Sequence, residues 1–300
     1  MSLVERAKDK VLPYVQIADI TLVARHAITT GFPSEPIAIR PFCTLVALAV
    51  IFGAWLSLRQ ARRRKLAPTA MIDLLYWVSI GGFLGGHVFD VLFYHPALAV
   101  QQPWLLLDIA SGQSSFGGFV GATLGALLWR LVRRRPLGPY AEAVASSFPA
   151  AWVVGRLGCA VAHDHPGIRS QLWFAVAYPS GGRLDLGLLE ALAVVPLALA
   201  ALWLRQAERP QGYFIALMCI YYAPVRFVMD FLRARDLASS DARYVGLTPA
   251  QWAAFLLIGL GLYFSTVARK SAARRASGAR AAAASAPSHA GRRPLPSWEK

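Results

Sequence analysis

Charged side chains are scarce in this 300-residue chain, at 16%, and acids are scarcer than bases, with 16 Asp and Glu against 31 Lys and Arg. So little charge beside 56% hydrophobic residues and a mean hydropathy of +0.44 excludes an ordinary soluble domain and points to a polytopic membrane protein. Cysteine is nearly absent too: Cys43, Cys159 and Cys219 all lie in apolar segments without metal-ligand spacing, so neither a disulfide framework nor a metal site is expected. The opening "MSLVERAKDKVLPYVQ" lacks the uninterrupted apolar stretch of a signal peptide and reads as retained. There is no convincing internal repeat.

The net charge of +15 does not imply a nucleic-acid partner, because the bases come in short runs that punctuate apolar segments instead of covering one face. A spanning helix needs roughly 17–25 predominantly apolar residues, and seven segments qualify: residues 42–58, 74–94, 116–132, 143–162, 186–204, 212–232 and 249–268. The runs "RQARRRK", "RLVRRR", "RQAER" and "ARKSAARR" follow the first, third, fifth and seventh of these, and therefore lie on one side of an alternating chain. By the positive-inside rule that side is cytoplasmic, with the N-terminus outside. The expected organisation is an all-α polytopic membrane protein: an N-terminal periplasmic segment over residues 1–39, a seven-helix transmembrane domain over 40–268, and a disordered basic cytoplasmic tail over 269–300. A short surface helix in the opening residues, ahead of "FPSEP", is also expected.

Several membrane-borne polar residues break the apolar pattern. An arginine at the bilayer centre costs about 3 kcal/mol on insertion scales and is usually functional, and Arg156 lies in the fourth segment, just before the two histidines that flank an aspartate in "AHDHPG". With the stated orientation, Asp90, Arg156, Glu190, Arg226 and Asp230 all fall in the outer half of their helices. Arg226 and Asp230 are four apart and share a helix face, so they are expected to pair. Structural salt bridges would account for the set; so would a lipid-accessible pocket whose planar guanidiniums recognise the phosphate of a phospholipid head group. The runs "GGFLGG" and "FGGFVG" suit close helix packing. Gly155 and Gly158 could instead let a head group approach the backbone. A transport path would need polar groups along the whole membrane, and the inner halves of these helices carry little beyond end residues such as Arg130.

Four stretches resemble one family in order from about Arg40 to Ala268. "GRLGCAVAHDHPG", "RFVMDFLRARD", "GGFLGGHVFDVLFY" and "LTPAQW" are similar to motifs of the bacterial prolipoprotein diacylglyceryl transferases. The resemblance implies a seven-helix inner-membrane enzyme with its site towards the periplasm. It would move the diacylglyceryl group of phosphatidylglycerol onto the lipobox cysteine of a prolipoprotein signal peptide, the first step of lipoprotein maturation, without a cofactor. It marks Arg156 and Arg226 as the essential arginines, Arg233 as a further one, and Asp164, Gly167 and Asp230 as signature positions. Gly155, Gly158, Asp90 and Glu190 complete the expected substrate-binding set, Asp90 as a partner for Arg156. Three family side chains are replaced: a third-helix histidine by Phe116, a first-helix tyrosine by Phe42 and the signature asparagine by Cys159. A base for the substrate thiol would then come from His163, His165 or His87, with His163 placed first and Asp164 orienting it. Cys159 reads as a packing residue. The alternative on the same fold is a paralogue altered in the transfer step that binds phospholipid head groups.

Overall fold

The computed structural model describes residues 11–15, 20–22, 37–108, 112–237 and 240–285. Six helices are long and apolar enough to cross a membrane: α1 (Pro41–Arg63), α2 (Pro68–Phe89, continuing to Tyr94), α4 (Ser115–Arg133), α7 (Leu186–Leu204), α8 (Tyr213–Met229) and α9 (Pro249–Ser285). A seventh span is the bent pair α5 (Leu137–Ala145) and α6 (Phe148–Ala162), which meet at 47°. The bend falls where Pro149 has no N–H to continue the ladder, and Ser146 and Ser147 both donate their hydroxyls to the Ala143 carbonyl at 2.9 Å. Large apolar side chains such as Ile51, Tyr76, Ile80, Leu131 and Leu262 face outward, while Arg156, Glu190 and Asp230 are buried. That inversion identifies a multi-pass membrane protein.

Helix α4 packs on α2, α6 on α1 and α7, and α9 on α8. The glycine runs serve the first of these contacts: a Cβ on Gly85 would stand 2.6 Å from the Gly117 carbonyl oxygen and from the Gly121 Cα. The basic runs end α1, α4 and α7 and continue α9, so they occupy one end of the bundle. The other end carries the short α3 (Pro96–Gln101), a 3₁₀ turn (Pro103–Leu107) and a three-stranded antiparallel sheet ordered β3 (Pro166–Arg169), β5 (Gly181–Asp185), β4 (Val176–Tyr178). Ahead of α1, β1 (Ile20–Leu22) and β2 (Ile37–Ile39) pair antiparallel, and Leu12 bridges to Val176 of β4.

The helical, polytopic architecture is the one expected, and two small sheets sit at this end of it. One expectation changes. The stretch expected to be disordered from residue 269 is helical as far as Ser285, because "AARRASGARAAAAS" is dominated by alanine and arginine, which favour helix. The surface helix expected in the opening residues, and residues 286–300, lie outside the described residues.

Candidate functional site

Each site element is ended or bent locally so that its polar residue points inward. His163 adopts a left-handed conformation (φ +50°) that stops α6 and folds Asp164 and His165 back over its end. Asp185 caps α7 by accepting the Leu188 N–H at 3.0 Å, which fixes the turn on which Glu190 sits. Helix α2 widens into a π-helical turn over Asp90–Tyr94, and α8 tightens into a 3₁₀ turn over Asp230–Leu232.

Glu190, with no exposed surface, is the centre of the arrangement. Its Oε1 lies 3.0 Å from Arg156 Nε and accepts the Tyr222 hydroxyl at 2.5 Å and the Trp152 indole N–H at 3.3 Å. Its Oε2 accepts Arg226 Nη1 at 3.1 Å. Arg226 Nη2 lies 3.0 Å from Asp230 Oδ1, the pairing expected from their spacing. Asp230 also faces Arg233 Nε at 3.5 Å and accepts the Thr248 hydroxyl, and Arg233 pairs with Asp241. Arg156 stacks on Trp152, 4.8 Å from its ring centre, and donates Nη2 to Ser115 Oγ at 2.9 Å, while Nη1 lies 3.3 Å from His165 Nε2 and 3.6 Å from Cys159 Sγ. Two buried guanidiniums thus share one carboxylate, and each makes further contacts that fix its plane.

Beside this cluster lies a cavity of about 200 Å³ bordered by Asp90, Tyr94, Phe116, Asp164, His165, Arg226, Arg233 and Asp241, among others. Arg226 and Arg233 border it directly; Arg156 reaches it through Ser115 and His165, which do. Phe116 fills its share of the wall edge-on to Phe89, with ring centres 5.0 Å apart.

The structure therefore brings together Arg156, Arg226, Arg233, Glu190, Asp230, Asp90 and Asp164 around one cavity and cluster. It separates the others from it. His163 faces away: Nδ1 lies 2.6 Å from Asp185 Oδ2 and Nε2 3.3 Å from the Val15 carbonyl, beneath the stacked ring of Tyr14. Burial, with Asp185 beside it, raises the Tyr178 phenol above its ordinary value in the same group. Gly155 and Gly158 face α1, where Cβ atoms would meet Ala49 and Leu45, so they serve packing and not head-group approach. Gly167 is wedged between the Leu184 and Leu232 carbonyls and bridges to Arg233, so it places that arginine from behind. Asp90 lies 3.7 Å from His95 and does not pair with Arg156, whose carboxylate is Glu190. His87 is buried between the Leu105 and Gly112 carbonyls, at 3.0 and 3.4 Å.

Tyr222 and Trp152 were not singled out from the sequence, although each stands four residues before the arginine of its own helix and so on the same face. Asp241 and Thr248 lie in or beside a loop, where no periodicity marks them. Cys159, Asp164 and His165 offer ligand atoms within 4.8 Å of one another. Arg156 Nη1, close to both Sγ and Nε2, already holds the position a cation would share.

A bundle of membrane-spanning helices, with buried arginines clamped on a carboxylate beside a polar cavity at the end opposite its basic runs, defines a multi-pass membrane protein with a site suited to an anionic group. The family model described as prolipoprotein diacylglyceryl transferase matches residues 30–267. Among curated proteins, the phosphatidylglycerol–prolipoprotein diacylglyceryl transferase of Mannheimia succiniciproducens is 31% identical over 212 residues, 68% of this chain and 79% of that protein. Those of Idiomarina loihiensis and Nitratidesulfovibrio vulgaris are each 29% identical, over 78% and 79% of this chain and 90% and 91% of their own lengths. The chain belongs to the prolipoprotein diacylglyceryl transferase family.

Proposed function

We propose that this chain transfers the diacylglyceryl group of phosphatidylglycerol to the lipobox cysteine thiol of a prolipoprotein, the first step of lipoprotein maturation. It acts as a multi-pass enzyme of a bacterial inner membrane, with residues 40–268 as the catalytic unit and the cavity towards the periplasm. The orientation follows from the basic runs at the opposite end of the bundle.

The observation that carries this reading is the shared hold of Arg156 and Arg226 on Glu190 beside the cavity. At about 200 Å³ the cavity is smaller than the roughly 300–1,000 Å³ pockets that enclose drug-sized ligands, so it takes a phosphoglycerol head group and leaves the acyl chains in the bilayer. Arg226 and Arg233 hold the phosphodiester. The thiolate sulfur attacks the terminal glyceryl carbon of the diacylglyceryl group, the carbon–oxygen bond to phosphate breaks, and glycerol phosphate leaves with the bonding electrons. The phosphate gains charge in that step, and guanidiniums already fixed in place stabilise it more in the transition state than in the ground state. Arg156 supplies this from the side of His165 and Ser115.

The test is made with purified protein in detergent, phosphatidylglycerol and a lipobox peptide. Mass spectrometry reads the thioether-linked diacylglyceryl peptide and the released glycerol phosphate. Product should form and should fall at least 100-fold in Arg156→Ala and Arg226→Ala. Retained binding of phosphatidylglycerol without any product would leave a head-group-binding paralogue and sink the transferase.

A further inference from the structure

The transfer needs a thiolate, and an unperturbed thiol of pKa about 8.5 is only a few per cent ionised at neutral pH. Arginine has donors only and cannot take that proton. Among the described residues four histidines lie at this end of the bundle, and the partner of each ring nitrogen decides which can.

Neither His87 nor His163 borders the cavity, and their ring nitrogens are turned elsewhere, those of His87 to the Leu105 and Gly112 carbonyls and those of His163 to the Asp185 carboxylate and the Val15 carbonyl. His95, its side chain about half exposed, turns Nε2 to the Asp90 carboxylate and does not border the cavity. His165 differs. Its Nε2 lies 3.3 Å from Arg156 Nη1, a group that only donates, so Nε2 is the unprotonated nitrogen. With Nε2 accepting, the ring hydrogen is on Nδ1, which stands 2.7 Å from the Asp164 carboxylate as a charge contact without hydrogen-bond alignment, and the ring borders the cavity. The charged or titratable groups around it are Arg156, Cys159 and Asp164 on its own side, Glu190 behind Arg156, and Tyr94, Arg226, Arg233, Asp90 and Asp241 across the cavity.

We propose that His165 Nε2 is the base that removes the substrate thiol proton, with Asp164 the positioning residue whose charge beside Nδ1 favours the imidazolium that forms; this rests on the transferase reading above. At rest Arg156 Nη1 covers the lone pair. The incoming phosphodiester competes for that donor, so head-group binding uncovers the base when the phosphate is in place. The thiol proton passes to Nε2, the sulfur forms its bond to the glyceryl carbon, and the imidazolium returns the proton to the departing phosphate or to water. This places the proton acceptor on the loop after α6, with Phe116 left as apolar wall.

The experiment compares a cysteine lipobox peptide with its selenocysteine counterpart, whose selenol is ionised at neutral pH and needs no base, using the full-length enzyme and phosphatidylglycerol. His165→Gln should lose about 10²–10⁴-fold in rate on the cysteine peptide and regain most of it on the selenocysteine peptide. Asp164→Asn should lose less, with the loss reversed in Asp164→Glu and absent on the selenocysteine peptide. An equal loss on both peptides, or none on either, overturns the role of His165 while the wild type remains a transferase. No product from the wild type on either peptide overturns the transferase reading itself, and this inference with it.

Discussion

Glu190 holds two arginines from two different helices, Arg156 of α6 through Oε1 at 3.0 Å and Arg226 of α8 through Oε2 at 3.1 Å. All three side chains are at least nine-tenths buried. Removing the shared carboxylate leaves two guanidiniums without their common counter-charge, and breaking a buried pair in this way typically costs about 3–5 kcal/mol. Glu190→Gln should therefore lower the melting temperature in detergent and reduce transfer at least as far as either arginine variant. A Glu190→Gln protein that melts and turns over like the wild type would show that the carboxylate is dispensable to both.

Arg226 spends its two terminal nitrogens on different acids, Nη1 on Glu190 and Nη2 on Asp230. A lysine ammonium is a single point and cannot bridge them in one plane. Arg226→Lys should keep the charge yet lose at least ten-fold in kcat/KM, with Asp230 and Thr248 pulled out of register. Near-wild-type kinetics would mean that charge alone suffices at this position.

Most of this arrangement was legible in the sequence, for a physical reason: in lipid an ionisable side chain is so costly that each one stands out against its helix. Arg156, Glu190, Arg226 and Asp230 were found that way. The partner choices were not legible, because they depend on which helix faces which. The sequence offers Asp90 as a partner for Arg156, yet Asp90 opens a π-helical turn at the cavity wall, where its neighbour is His95. His163 and His165 are alike in "HDH", so the sequence does not separate them; the left-handed turn at His163 sends their rings to different partners, His163 to Asp185 and His165 to Arg156. The small sheet between α6 and α7 left no readable period, being strands of three to five residues.

Gly85 tests the packing that holds the cavity wall. A methyl group there would come within 2.6 Å of the Gly117 carbonyl and of the Gly121 Cα, both backbone atoms that cannot rotate away. Gly85→Ala should push α2 from α4 and destabilise the fold by about 1–3 kcal/mol, the usual range for overpacking. Thermal melting in detergent reads this, and an unchanged midpoint would mean that the two helices separate at little cost.

The segment that carries Arg233 is tied down by an ion pair with a defined pH dependence. Asp236 accepts both terminal nitrogens of the buried Arg183, at 2.9 and 2.6 Å, and Arg169 Nε at 3.1 Å. These arginines, Arg183 foremost, hold its carboxyl well below the ordinary carboxylate value of about 3.9. A group whose folded value is depressed contributes stability that is fully present above its unfolded value and lost as pH falls towards the folded one. The tie between β5 and the segment after α8 should therefore hold unchanged from neutrality to about pH 5 and weaken progressively below about pH 4. Asp236→Asn removes that proton linkage, so its melting temperature should start lower at neutral pH and converge on the wild-type value as the medium is acidified. Parallel curves, with the gap constant down to pH 3, would show that Asp236 contributes nothing through its charge.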